Sequence, residues 1–179
     1  MMKVLKTNTT ITLDQSEIMF ATDAGIMRNK ENRHAGHKSS VTGDSRALDI
    51  QGARAEYAVA KYFSLPWSGR IFQAGELSEW RAKGGHDVGP LEVRSTIYRP
   101  RLNHMPMFKT DTKNVPYTFV IVHSPEKYEL RGWVWGRDGM RNAYWYDPAR
   151  FNQPYYCVPL HILRPIVDLA YLISKGGIV

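Results

Sequence analysis

Asp87, Glu92 and Arg94 have the side-chain types and the spacing for phosphate chemistry. They lie in the stretch Gly-Gly-His-Asp-Val-Gly-Pro-Leu-Glu-Val-Arg-Ser-Thr, residues 84–96. On a strand, side chains repeat on one face every two residues, so Glu92 and Arg94 are predicted to project together. Gly89-Pro90 is a turn dipeptide. It folds a strand-like piece, His86–Val88, back onto a second, Leu91–Thr96, and brings the Asp87 carboxylate alongside. Two carboxylates and one cation at a sheet end suit a hard divalent metal with a phosphate beside it. The same spacing is also met by a half-solvated hairpin with a surface Glu and Arg.

A helix predicted over Asp49–Phe63 supplies a third carboxylate. Gly52, Ala53, Glu56, Ala60 and Phe63 share one face at three- and four-residue spacing. A carboxylate inside a small, apolar packing face is unfavourable unless it is paired or holds a metal. Pairing with Arg54 or Lys61 at the helix edge is the alternative. Upstream, Leu13–Arg33 reads as a helix capped by Asp14 or Thr12. Leu13, Glu17, Phe20, Ala24 and Met27 follow helical spacing, widened by Ile18 and Met19. Arg28, Lys30 and Arg33 suit the negative end of its dipole. Gly36–Arg46 reads as a mobile polar loop, either a backbone clamp or a plain linker. Arg70–Gln73 is an expected first strand, and Glu76–Lys83 a polar connection whose Trp80 serves the core or stacks a base.

Beyond Thr96, residues 97–114 carry Arg99, Arg101, Lys109 and Lys113 against Asp111 alone, with Tyr98, His104 and Phe108 interleaved. Pro100 and Pro106 argue against a helix, so this segment is expected to be irregular or an edge strand. Its cations suit contacts to a phosphate backbone, although a solvated loop has the same composition. Tyr117–His123 is the clearest buried strand, with Glu129–Trp135 as its hairpin partner after a turn at Ser124–Tyr128. A short helix over Gly136–Ala143, a strand at Tyr155–Val158, one turn at Pro159–Ile162 and a helix from Pro165 to Ser174 complete the chain. Trp133, Trp135 and Trp145 read as core or rim packing.

With 179 residues, one domain spanning 1–179 is expected: an N-terminal helix and basic loop (1–48), a motif region (49–135), and C-terminal strand and helices (136–179). Hydrophobic residues at 43% and charged ones at 23% are those of an ordinary globular chain. Nothing approaches a membrane span of about 20 apolar residues, and residues 1–20 are polar, without a signal-peptide core. The single cysteine, Cys157, excludes an internal disulfide and fits an intracellular, cytoplasmic setting. The net charge of +7 points toward a polyanionic partner. There is no phosphate-binding loop, dinucleotide fingerprint, zinc-finger spacing or nucleophile elbow.

Taken in order, these pieces resemble the PD-(D/E)XK nuclease superfamily. Its pattern is a helix bearing Glu, a hairpin bearing Asp, a spacer with Glu-x-Lys, and then a buried strand. Here it becomes Gly52-Ala-Arg-Ala-Glu56, Asp87-Val-Gly-Pro-Leu-Glu92-Val-Arg94, and Phe119–Val122. The match covers residues 49–135, and the layout also looks like small phage proteins of this superfamily. The resemblance implies an α+β chain with a restriction-endonuclease-like α/β/α sandwich, a central mixed sheet and an added N-terminal helix. It also implies a Mg²⁺-dependent DNA nuclease, with Mn²⁺ substituting, in which Asp87, Glu92, the Val93 carbonyl and Glu56 hold metal. Arg94 would then stabilise the transition state, and Lys83, His86, Arg99, Arg101, Lys109 and Lys113 would contact the nucleic acid. If phage-encoded, the protein would act in the host cytoplasm, without a membrane. Many relatives work as homodimers, and no obligate protein partner is implied. The departure is Arg94 in place of the usual Lys. Arginine stays protonated at any working pH and cannot act as a general base, although Lys83 or His86 could stand in. The same fold without catalysis, as a DNA-binding or structural protein, is the alternative.

Overall fold

The computed structural model describes residues 9–34, 44–67, 69–71, 76, 79–80, 83–147 and 154–178. The chain is α+β, with a four-stranded mixed sheet and a smaller three-stranded one. Helices α1 (Gln15–His34) and α2 (Ser45–Phe63) form an antiparallel pair. Its register is visible in the cross-links: Lys61 to Glu17 at 2.7 Å, Arg54 to Thr22 at 2.9 Å, and Asn29 to Asp49 at 2.9 Å.

Local chemistry sets the helix ends. Asp14 accepts from the Glu17 amide while Glu17 accepts from the Asp14 amide, a reciprocal capping box at the start of α1. Asp44 accepts from the Arg46 amide, so α2 begins four residues before the predicted Asp49. Ser45 and Arg46, expected in the loop, are therefore helical; residues 36–43 of that loop lie outside the described residues. The expected apolar stripe on α1 needs correction. Ile18, Ala21, Ala24, Gly25 and Asn29 are buried, whereas Phe20 and Met27 are both 53% exposed. Small residues face α2 because the backbones approach closely: a Cβ on Gly25 would sit 2.5 Å from Ile50 Cα.

The mixed sheet has the order β1-β5-β4-β2, with β1 (Thr9–Thr12), β2 (Glu92–Ile97), β4 (Pro116–Val122) and β5 (Lys127–Trp135). β1, β5 and β4 run antiparallel to their neighbours, and β2 joins β4 in parallel at the sheet edge. The second sheet has the order β3-β7-β6, with β3 (His104–Met107), β6 (Trp145–Tyr146) and β7 (Tyr155–Pro159), all antiparallel. Between the sheets run a single turn, α3 (Gly136–Gly139), and a 3-10 turn at Asn142–Tyr144. A further 3-10 turn at Leu160–Ile162 leads to α4 (Ile166–Ser174).

Two cores follow from the period-two alternation of β4. Val120 packs with Ala55, Ala58, Val59, Leu130 and Leu169 on the helical side. Tyr117, Phe119 and Ile121 pack with Met105, Met107, Val134 and Val158 on the other. Among the described residues, helices thus cover one face of the mixed sheet and the three-stranded sheet covers the other. The expected α/β/α layering is met on one face only. Two expected strands also change. His86–Val88 is reduced to one bridge, Val88 to Leu91. Arg70 and Ile71 are not in a strand, and residues 72–73 lie outside the described residues. No described helix is long and apolar enough to cross a membrane.

Two glycines give a clean packing test. Gly25→Ala forces the α1 and α2 backbones apart and is expected to lower stability by about 1–3 kcal/mol. Gly52→Ala, with nothing within 4 Å of its new Cβ, is expected to raise it by about 0.5–1 kcal/mol. Urea denaturation reads both, and equal shifts would contradict the close helix approach.

Candidate functional site

The turn that leads into β2 sets the geometry of the predicted site. Val88 and Leu91 exchange backbone hydrogen bonds of 3.0 and 2.9 Å around Gly89-Pro90. Gly89 has φ +53°, the left-handed value a two-residue turn needs at its first central position. Just before it, Asp87 folds back and accepts from the Val93 amide at 2.9 Å.

From Glu92 onward, alternation separates the side chains. Val93 joins the helical-side core, and Ser95 accepts from Gln51 of α2 at 3.2 Å. Glu92 and Arg94 therefore point to the opposite face, away from α2. Glu92 is 1% exposed, lies opposite Tyr117 in the β2–β4 register, and places Oε1 3.2 Å from His86 Nδ1. The Arg94 guanidinium is paired with Asp111 and lies 5.3 Å from the Tyr117 ring and 5.8 Å from Phe108. Burial disfavours its charge, but Asp111 and Asp87 more than offset this and hold it above its ordinary value. Its Nε is buried without a hydrogen-bond partner among the described residues. Asp111 also accepts from the Phe108 amide at 2.9 Å. Tyr117 is pushed up by burial, with Asp111 and Glu92 adding to the shift.

Glu56 lies on the helical side. Its partner is neither Arg54 nor Lys61 but Arg28 of α1, which makes a two-pronged contact of 2.7 Å to each carboxylate oxygen. The Trp67 indole donates to Oε2 at 3.0 Å, and Arg28 Nε donates to the Arg70 carbonyl at 3.0 Å. Burial, joined by the Asp87 charge, pushes the Glu56 carboxyl up, while Arg28 and Trp67 pull it back. The Arg28 guanidinium is itself held above its ordinary value by Glu56 against burial. Two short charge-assisted bonds of this geometry favour the ion pair at neutral pH. Asp87 acts electrostatically on Glu56, Arg28 and Arg94 alike, so it is the link between the two sides.

Glu56, Asp87 and Glu92, the carboxylates that the resemblance makes metal ligands, each have protein partners in this arrangement. Among the described residues, no group of three or more His, Cys, Asp or Glu side chains is placed to hold an ion. Both Glu56 oxygens are committed to donors, one Asp87 oxygen to the Val93 amide, and one Glu92 oxygen faces His86. Val93, the expected carbonyl ligand, turns its backbone to the open side of the edge strand, where its amide donates to Asp87. The site instead consists of two anchored guanidinium–carboxylate pairs flanking an edge strand.

The predicted phosphate-contacting residues are at the surface. Arg99 and Arg101 lie in the exposed turn before β3, and Lys109 and Lys113 are exposed after it. Lys109 Nζ sits 4.4 Å above the Trp145 ring, and Lys113 accepts from the Arg137 amide through its carbonyl. Lys83 is exposed in the preceding turn, and His86 is half-buried against Glu92. Arg28, Trp67 and Asp111 are not among the site residues expected from sequence. Asp111 carried a signal, as the lone acid of a basic stretch; Arg28 carried none, since its partner lies 28 residues away. A separate cavity of about 520 Å³, lined by Leu48, Ile50, Ile97 and Val122 among others, sits at the far end of β2 and includes none of the predicted site residues.

Arg28→Ala leaves a buried carboxylate without its counter-charge and is expected to cost about 3 kcal/mol at pH 7. In that variant only the Trp67 hydrogen bond opposes burial and the Asp87 charge, so the folded-state pKa of Glu56 lies further above the unfolded value of about 4.3. An acid shifted upward favours folding while protonated, and that advantage is lost as pH rises above the unfolded pKa. The variant should therefore be more stable at pH 5 than at pH 8, relative to the native chain. Identical pH dependence for the two in urea denaturation would refute the pairing.

Comparison with protein-family models, curated proteins and solved structures finds no match for this chain.

Proposed function

We propose that this chain binds nucleic acid through its phosphates on a restriction-endonuclease-like scaffold, without cutting it. The scaffold reading is supported by the order of parts: a Glu-bearing helix, an Asp-bearing turn, a Glu-x-Arg strand, and a buried strand parallel to it. The observation that carries the absence of cleavage is the Arg28–Glu56 pair. A hydrolytic site of this design needs carboxylates that can offer lone pairs to a cation. Here the helix carboxylate is neutralised from both oxygens, and the arginine in the lysine position is held by Asp111. The exposed Arg99, Arg101, Lys109 and Lys113, in a chain of net charge +7, supply phosphate contacts with no base-reading module. DNA is the partner tested first.

A metal-dependent deoxyribonuclease is the second reading. It is favoured by one observation, that the Asp87 charge reaches both Arg94 and Glu56. In that reading Asp87 and Glu92 would take Mg²⁺ or Mn²⁺.

Calorimetric titration with Mg²⁺ and Mn²⁺, together with plasmid cleavage by the native chain, Asp87→Ala and Glu92→Ala, separates the two. The first reading expects no metal heat and no cleavage. Metal-dependent cutting that disappears in both variants would establish the second. For binding itself, Arg101→Ala and Lys109→Ala should each weaken duplex affinity and reduce the slope of log K against log salt by about 1. Salt slopes unchanged in both would remove these residues from the interface.

A further inference from the structure

The three-stranded sheet has an outer face that neither core uses. Met105, Met107 and Val158 are fully buried on its inner side. Register places His104, Pro106, Tyr146, Tyr155 and Cys157 together on the other side. The rings there form one cluster centred on Tyr155: 5.7 Å to Tyr146, 6.1 Å to His104 and 6.3 Å to Phe108. Tyr146 is 45% exposed, and none of the three strands carries an acidic residue.

Two exposed cations lie close to this aromatic face in sequence, and Phe108 joins it to the site described above. Arg99 and Arg101 precede the edge strand β3 and are exposed, three to five residues before His104, whereas Lys109 lies over Trp145 on the inner side of the sheet. Phe108 touches both the Tyr155 ring and the Arg94 guanidinium. A partly exposed sheet face of rings near surface cations is the chemistry that holds unpaired bases, since every base has a stackable face and every nucleotide a phosphate. A duplex keeps its bases stacked on each other and has no use for the rings.

We propose that the outer face of β3, β6 and β7 is a stacking platform for single-stranded nucleic acid. Tyr155 and Tyr146 receive successive bases, and Arg99 and Arg101 hold the backbone at the β3 edge. The assignment rests on the nucleic-acid reading above and deepens it, by naming the unpaired strand as the preferred form.

Cys157, the only cysteine in the chain, lies on this face and reports its coverage. An uncharged maleimide avoids mistaking electrostatic repulsion for coverage. Its reaction with Cys157 is followed alone, with a 15-nucleotide single strand (DNA and RNA in separate arms), and with a 15-base-pair duplex. Fluorescence anisotropy of the same probes gives affinities for the native chain, Tyr146→Ala, Tyr155→Ala and the corresponding Phe variants. The platform predicts that single strands slow the thiol reaction and the duplex does not. Each Ala variant should lose about 5- to 150-fold in single-strand affinity, and the Phe variants should retain it. Single-strand binding with no protection of Cys157 and no loss in the Ala variants overturns the platform and leaves phosphate binding standing. Binding to none of the probes overturns both. Protection that grows with protein concentration without nucleic acid identifies the face as a contact between copies and also overturns the proposal.

Discussion

A carboxylate buried between two helices and a sheet edge must be neutralised, and much of this structure follows from how that is done. Glu56 occupies a face of α2 whose other members are small and apolar, where an unpaired charge would be strongly unfavourable. Arg28 answers it with both terminal guanidinium nitrogens and turns Nε to the Arg70 carbonyl. One side chain thus ties α1 to α2 and α2 to the connection that leads toward the Asp87 turn. Trp67 adds a fourth donor to the cluster and packs edge-to-face with Tyr57 and Phe20, which gives that connection an aromatic seat. The close approach at Gly25 is the steric counterpart of this electrostatic joint.

The second constraint is the two-residue repeat of β2. Because β2 is an edge strand with helices on one side only, its alternate side chains enter different environments. Val93 and Ser95 meet α2, whereas Glu92 and Arg94 meet Tyr117, Phe108 and Asp111. Charges adjacent in a motif are therefore not adjacent to Glu56. Asp87 sits at the strand entry, where it can act on both sides, and its hydrogen bond to the Val93 amide holds it there. The result is a largely closed edge in which four carboxylates, Glu56, Asp87, Glu92 and Asp111, face the two guanidinium groups of Arg28 and Arg94.

The small second sheet completes the mixed sheet where the resemblance called for a helical layer. Met105, Met107 and Val158 close over Tyr117, Phe119 and Ile121, so the cover is made of long, adaptable and branched side chains. The other side of this sheet carries the aromatic cluster, with Tyr146 exposed and His104, Pro106, Tyr155 and Cys157 half-buried.

Much of the architecture was readable from residues alone, because it depends on neighbours in sequence. The strand at Pro116–Val122 and its hairpin partner at Lys127–Trp135 show as apolar, β-branched runs around a turn. The final helix, the Gly89-Pro90 turn and the Asp14 cap are equally local. That Glu56 was buried and needed a partner was also legible, from its place among alanines. The identity of the partner was not, because Arg28 reaches it only once two helices lie side by side. The stripe on α1 was misread for the same reason: small residues face α2, and the larger Phe20 and Met27 remain outside. Sequence spacing by itself determined that Glu92 and Arg94 share a face and that the chain carries an excess of cations. Only the tertiary structure decided which face that is, since strand order and helix placement are long-range packing outcomes. That choice set Glu92 and Arg94 on the opposite side of the edge strand from Glu56, with Asp87 between them.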